Sequence, residues 1–311
     1  DKLTIPSTGG PVTGNDQEDK KGWQSNTKRL EEAGAMGIEY SLSCPQGGEG
    51  TEGDIVSQSA EATAKVIGWV MEVSDPEIPK LFKLSAAVTS IETIMEAVKE
   101  TLEQYPNKKA GVTLANTFPV LGFEERSKAK WPDGVVLGMS GEGVAPISYF
   151  TLARAVPVGV PISGNGGLMD YLQSANFLAL GAGTVQYCTI VMKYGYGIID
   201  ELKNGVSFLM KERGLNSMKE LIGIAQPDPI TDFMDLSDTK KISSLIDPDL
   251  CLSCGNCARC PYLAITLDDD LKPVMDPEKC IGCSICVQKC FSGALEMRER
   301  TPEEMEQLSE E

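Results

Sequence analysis

The chain contains no histidine, so any proton transfer it performs must use Ser, Cys, Lys, Tyr, Asp, Glu or water. Basic residues are scarce as well. The 28 Lys and Arg stand against 45 Asp and Glu, a net charge of −17, which repels phosphate backbones and excludes nucleic acid and anionic membrane as partners. No apolar run approaches the length needed to cross a bilayer, and the first residues lack the basic and apolar regions of a signal peptide. The expected location is therefore the cytoplasm. Only two cysteines, Cys44 and Cys188, lie outside one short C-terminal stretch, which argues against a disulfide scaffold. What is present suffices for a full core: 311 residues with 41% apolar content point to two domains.

The other eight cysteines form two tetrads, Cys251, Cys254, Cys257 and Cys260 followed by Pro261, then Cys280, Cys283, Cys286 and Cys290. A cubane iron–sulfur cluster needs four thiolates on one centre, and x-x intervals let a tight loop wrap three sulfurs around a corner. In two-cluster ferredoxins the last cysteine of each run serves the other cluster. That rule assigns Cys251, Cys254, Cys257 and Cys290 to one [4Fe–4S] cluster and Cys280, Cys283, Cys286 and Cys260 to a second. Structural zinc and four disulfides are the rival readings, but zinc sites rarely carry an unbroken x-x ladder and disulfides suit short secreted chains. Two irregularities stand out: Cys257 and Cys260 are separated by two residues where three are usual, and Phe291 occupies the place of a second proline.

Residues 1–222 alternate short apolar runs with longer amphipathic ones, the pattern of a parallel sheet with crossover helices. Strands are expected at 2–8, 37–42, 80–84, 110–115, 160–163 and 184–187, and helices at 23–33, 61–72, 91–103, 147–155, 171–180 and 195–211. Thr89 with Glu92 reads as a capping box for the third helix, and Gly34 as a left-handed cap ending the first. In a TIM (β/α)8-type barrel the active site is built from the loops that follow the strands. Here those loops collect the polar and glycine-rich residues: Ser41 to Gly47 with a glycine-rich run to Gly53, Lys83, Asn116-Thr117, Gly164-Asn165-Gly166-Gly167, and Cys188-Thr189. Bare N–H groups in the last two loops suit a phosphate. Each piece alone has a plainer reading as a turn, a cap or a solvated lysine. Five such loops on one face favour a pocket for a phosphate-bearing redox cofactor.

With these motifs the chain resembles the FMN-binding barrel of the dihydroorotate dehydrogenase superfamily, most closely its dihydropyrimidine dehydrogenase branch. The resemblance rests on Leu42-Ser43-Cys44-Pro45, Lys83-Leu84, Asn116-Thr117, Ser140-Gly141 with Pro146, Gly166-Gly167 and Gln186-x-Cys188, and on a barrel followed by a two-cluster ferredoxin module. It implies FMN, two [4Fe–4S] clusters, and reduction of the C5=C6 bond of uracil or thymine. By position Lys83 approaches the flavin ring, Ser140 and Gly141 line it, and Gly166, Gly167, Cys188 and Thr189 hold the ribityl phosphate. Asn116 and Thr117 bind the pyrimidine.

Departures bear on the substrate. Ser57 stands where the pyrimidine reductases carry a catalytic cysteine. Related dihydroorotate dehydrogenases use serine there, although a hydroxyl is a weaker acid than a thiol. The plainer reading is that Ser57 or Ser59 caps the next helix. Ser41 and Ala87 replace asparagines that would contact the ring, which opens the alternative of a different enone or cyclic amide. A further alternative is an electron-relay subunit without catalysis. Cys44 and Cys188 are expected to be buried structural thiols.

The domain scheme is a barrel over 1–222, a linker over 223–244, the ferredoxin module over 245–298 and an acidic tail over 299–311. A closed barrel needs eight units, so roughly two β/α units of the family are expected to be missing before residue 1. No Gly-x-Gly-x-x-Gly follows a strand, so NAD(P)H oxidation is expected to fall to a separate FAD-containing partner subunit.

Overall fold

The computed structural model describes residues 3–44, 55–124, 133–226 and 240–308. The Pro45-to-Gly53 loop, most of the expected linker and the last residues of the acidic tail lie outside them. The chain divides into two compact units, Asp1–Pro227 and Asp228–Glu311.

The first unit is built on a six-stranded parallel sheet, β1 (Ser7–Thr8), β2 (Ile38–Ser41), β3 (Lys80–Lys83), β4 (Ala110–Leu114), β7 (Ile162–Gly164) and β8 (Thr184–Val185), in that order. All six strands coincide with expected ones, generally shorter. Their crossovers are α1 (Asp16–Glu32), α2 (Ala60–Val73), α3 (Ile91–Glu103), α4 (Ala145–Ala155) and α5 (Tyr171–Ala179), followed by α6 (Thr189–Tyr194), α7 (Ile198–Glu212) and α8 (Met218–Leu221).

Period-2 alternation divides the sheet into two faces. Register partners Thr8, Tyr40, Phe82, Val112 and Ile162 share one face. The buried members Tyr40, Phe82, Val112 and Ile162 belong to the main core together with Trp23, Ile67, Val70, Met71 and Met95 of the helices. Tyr40 and Phe82 stack at 5.3 Å between ring centroids. The other face is polar: Ser41, Lys83, Thr113, Ser163 and Thr184 are successive partners. A polar face on a buried parallel strand needs its own partners, and Glu39 supplies them here, as shown below.

At the opposite end of β3, Lys80 turns toward the helices with its side chain fully buried. Its ammonium pairs with Glu31 at 3.0 Å and donates to the carbonyls of Asp75 and Ile78. Burial pushes the Lys80 pKa down further than Glu31 raises it. Burial also pushes the Glu31 carboxyl up, but the Asp75 N–H and the Lys80 ammonium outweigh it and leave its pKa below the usual value.

Local signals account for most helix ends. α1 begins at Asp16, ahead of the expected residue 23, because Asn15 accepts from the N–H groups of Gln17 and Glu18 and three acids occupy the first turn. Gly34, at φ +86°, takes the left-handed position after it. The cap of α3 is Ser90, which accepts from Thr93 N–H, and not Thr89. Ser59 caps α2 by accepting from Ala62 N–H, and Ser57 does not. The expected helix 195–211 is α7, and Gly195 at φ +77° closes a separate short helix before it, α6.

A β-hairpin was not foreseen, nor were the short helices α6 and α8. Between β4 and α4 the chain makes an antiparallel hairpin, β5 (Phe118–Glu124) with β6 (Asp133–Met139). Pro119 and glycines at 122, 134 and 138 mask its alternation.

The second unit carries two antiparallel pairs, β9 (Lys241–Leu245) with β12 (Leu295–Glu299), and β10 (Ile265–Leu267) with β11 (Pro273–Met275). The cysteine loops lie between these strands. Among the described residues no helix is long and apolar enough to cross a membrane.

Candidate functional site

The strand ends of the first unit open on a cleft of about 610 Å³, its mouth included, within the range usual for small-molecule sites. Lys83 comes from the end of β3, Asn116 and Thr117 follow β4, Ser140 and Gly141 follow β6, Asn165 to Leu168 follow β7, and Gln186, Cys188 and Thr189 follow β8. Nine residues singled out from the sequence thus line a single cavity. Residues missed for a role at this stage are Asn165, Leu168, Met192 and Val144. Gln186 was visible only as part of a motif.

Lys83 has no carboxylate or other hydrogen-bond partner among the described residues and brings a cation to the cleft. Gly166 and Gly167 sit at φ +105° and +99°, a conformation that favours glycine. A Cβ on Gly167 would lie 2.6 Å from Ala145 N, so the turn packs directly on the start of α4. Beyond this turn the N–H groups of the buried Gly167 and Leu168, and those of the exposed Cys188 and the half-buried Thr189, find no acceptor among the described residues. Orphan buried donors call for an acceptor, and the chemistry of this set, donors plus one ammonium, is that of an anion site.

The amide of Asn116 donates to Ser43 O at 3.1 Å and contacts Cys44 Sγ at 3.7 Å, leaving its carbonyl oxygen uncommitted. Beneath the cleft, Glu39 accepts from Ser7 Oγ, Thr113 Oγ1 and Gln186 Nε2 at 3.1, 2.9 and 3.2 Å. Gln186 Nε2 also reaches Thr113 Oγ1 at 3.1 Å. With its NH₂ so held, Gln186 retains its carbonyl for the cleft.

Ser41 and Ser57 are not among the lining residues. Ser41 Oγ donates to Cys44 Sγ. Ser57 is fully buried between the ends of β2 and β3: its N–H donates to Leu42 O, and its hydroxyl accepts from Ser85 N–H at 3.2 Å. The expectation that Cys44 and Cys188 are buried is corrected, since both thiols are exposed. Each follows a strand, where the chain leaves the apolar layer for the polar end of the sheet.

In the second unit the cysteines ring two cages of similar size, about 360 and 400 Å³. The first is lined by Cys251, Cys254, Cys257 and Cys290, and the second by Cys260, Cys280, Cys283 and Cys286, with Cys257 between them. The thiols surround space rather than meeting at a point. Among the described residues no three such side chains converge as a single ion would require. Burial pushes the Cys290 thiol up, but the Ser292 hydroxyl and the N–H groups of Leu295, Ala294 and Ser292 pull it below the usual value, and thiolate is the ligand form.

A repeat missed in the sequence organises both cages. Asp247-Pro-x-x-Cys251 recurs as Asp276-Pro-x-x-Cys280. In each, the aspartate accepts from the N–H groups two and three residues on. A buried-stem cation then holds the same pair of carbonyls: Lys272 those of Pro248 and Cys251, Arg300 those of Pro277 and Cys280.

Residues 243–291 match the family described as the 4Fe-4S dicluster domain. The chain is 30% identical over 266 residues to the NAD-dependent dihydropyrimidine dehydrogenase subunit PreA of Escherichia coli, covering 83% of this chain and 61% of that protein. It is also 30% identical over 202 residues to the catalytic subunit of dihydroorotate dehydrogenase B (NAD(+)) of Pyrococcus furiosus, covering 64% of this chain and 63% of the relative. The chain therefore spans about three-fifths of the length of these relatives. Among solved structures, a ligand-free DHODH from Eimeria tenella superposes with a TM-score of 0.53 at 16% identity, over 67% of this chain and 60% of the other.

The molecule thus joins an α/β unit of the TIM-barrel type to a 4Fe–4S dicluster ferredoxin domain. Its first unit has the dihydroorotate dehydrogenase fold, and its sequence is similar to subunits of both dihydropyrimidine and dihydroorotate dehydrogenases.

Proposed function

We propose that the protein is a flavin- and iron–sulfur-dependent oxidoreductase subunit that reduces a ring C=C bond of a pyrimidine base, uracil or thymine. The observation that carries this reading is the convergence of Lys83, Asn116, Gln186 and the orphan N–H groups of two glycine-rich loops on one cleft, in a chain that also holds two four-cysteine cages. FMN fits the donor set: its phosphate suits the N–H groups of Gly167, Leu168, Cys188 and Thr189, and its ring suits the ammonium of Lys83, which stabilises added negative charge. Bound FMN would supply hydride chemistry.

The chain's own residues then do the positioning. Asn116 and Thr117 offer an amide oxygen and a hydroxyl to the ring N–H and carbonyl of a cyclic amide, and Gln186 a second carbonyl. Ser57 is the residue to which we assign proton delivery. Its hydroxyl accepts from Ser85 N–H, and its own hydrogen has no acceptor among the described residues. The site adjoins the end of β3, two residues beyond Lys83. Electrons reach the chain from an FAD- and NAD(P)H-binding partner, in keeping with relatives that are themselves named as subunits.

The test is anaerobic purification. The reading requires flavin released on denaturation, about eight irons per chain, and reoxidation of the reduced flavin by uracil or thymine. A bound flavin that neither pyrimidine reoxidises would move the substrate to another enone or cyclic amide, the class that Ser41 and Ala87 also admit. Clusters without flavin would leave only an electron relay.

A further inference from the structure

Ser243 lies in the middle of β9, opposite Met297 of β12. It is 1% exposed, and its hydroxyl has no hydrogen-bond partner among the described residues. Burying a hydroxyl unpaired is unfavourable, and native structures rarely do so without a reason. The strand neighbour Ile242 is equally buried and apolar, so core packing gives no call for a serine here. What the hydroxyl faces supplies one. Ser243 lines the cage formed by Cys260, Cys280, Cys283 and Cys286, alongside Ala264 and Ile265 and the polar Arg259, Ser284 and Lys289.

We propose that the Ser243 hydroxyl donates a hydrogen bond to a cysteine sulfur of the cluster held in this cage and so raises that cluster's reduction potential. This rests on the reading of the unit as cluster-bearing. The argument is electrostatic. Adding one electron makes the cluster and its four thiolates one charge more negative, with no bond made or broken and the serine proton kept. A donor aimed at a ligand sulfur therefore stabilises the reduced form more than the oxidised one, and does so more strongly for a hydroxyl buried away from water, as that of Ser243 is. The other cage has a different arrangement: Ser292 Oγ lies 3.6 Å from Cys290 Sγ, but that serine is partly exposed and competes with water. Ser243 thus acts on one cluster of the pair.

The experiment is a redox titration of the holoprotein followed by EPR, on the wild type and on Ser243→Ala, Ser243→Val and Ser243→Thr. Iron and sulfide analysis comes first, and a wild type without clusters would remove the parent reading as well as this one. With clusters present, Ser243→Ala is expected to weaken reduction of one cluster by about tenfold, which is about 59 mV for a one-electron couple, while the other moves by less than a third of that. Thr keeps the hydroxyl and stays near wild type. Val has nearly the same shape without the hydroxyl and behaves like Ala, so the Val and Thr pair decides the matter even if Ala does not fold. Full iron content with both potentials unmoved in Ala and Val would overturn the proposal, as would equal shifts of both clusters.

Discussion

The amide nitrogen of Gln186 donates to the buried carboxylate of Glu39 across 3.2 Å, joining positions 147 residues apart. Glu39 sits on β2 and Gln186 just beyond β8, and Thr113 of β4 bonds to both. A single carboxylate thus orients a cleft residue from beneath. Glu39→Gln replaces an acceptor by an amide whose NH₂ confronts the NH₂ of Gln186, leaving a buried donor unpaired. The expected loss is about 1–3 kcal/mol of unfolding free energy, read from urea denaturation, together with weaker flavin retention on gel filtration. Unchanged stability and retention would show that the network is not needed to shape the cleft.

Lys83 is the one lysine among the residues lining the cleft. Lys83→Met keeps much of the volume and removes the charge. The flavin of the variant should be harder to reduce, since the anionic reduced ring loses its cation, and spectroelectrochemical titration measures it. A midpoint equal to wild type would place the ammonium away from the ring.

Ser57 and Ser59 separate chemistry from capping. Ser59→Ala removes the cap of α2 and is expected to cost about 1 kcal/mol with turnover intact. Ser57→Ala should leave flavin reduction untouched and slow the oxidation of reduced flavin by substrate at least about 100-fold, the scale of general-acid contributions. Stopped-flow measurement of the two half-reactions distinguishes these outcomes. A Ser57→Ala variant that loses stability alone would reassign Ser57 as a plug between strand ends.

Lys80 and Glu31 form a buried pair beneath the sheet. Lys80→Ala leaves the carboxylate with the exposed Lys28 and the Asp75 N–H, and about 1.5–3 kcal/mol of stability, the scale of a hydrogen bond to a charged group, should go with it. The pair also sets an acid limit. The Glu31 pKa is lowered in the folded state, so its contribution is present above the unfolded carboxylate value near 4.5 and is lost as pH falls through the folded value. Thermal melts from pH 7 down to pH 3 should show a steeper decline below about pH 4.5 in the wild type than in a Glu31→Gln, Lys80→Met double variant.

Much of this was legible in the sequence wherever a property depends on neighbours along the chain. The eight cysteines declare themselves by interval, because a cubane is wrapped by a loop whose reach is set by residue spacing. The six strands show in their apolar runs, and the loops after them in glycine and polar residues, since chain direction in a parallel sheet sends every such loop to one end. The Asp-Pro-x-x-Cys repeat is equally local, since each aspartate accepts from N–H groups only two and three residues on. The β5–β6 hairpin failed to show because its proline and glycines imitate a loop.

Other features have no local signature. Glu39 reads as an ordinary acidic residue until three strands bring Ser7, Thr113 and Gln186 around it. Ser57 and Ser59 are indistinguishable on paper, and only the packing of β2 against β3 buries the first and leaves the second as a cap. The same holds for Cys44 and Cys188, whose exposure follows from where their strands end. By itself the sequence determined where the cysteines cluster, where the six parallel strands run and which end of their sheet carries the polar loops, because spacing and periodicity are properties of the chain. Only the tertiary structure decided which of those side chains share a cleft, which are buried and which hydroxyl faces a sulfur, because burial and long-range hydrogen bonds arise only when distant segments exclude water together.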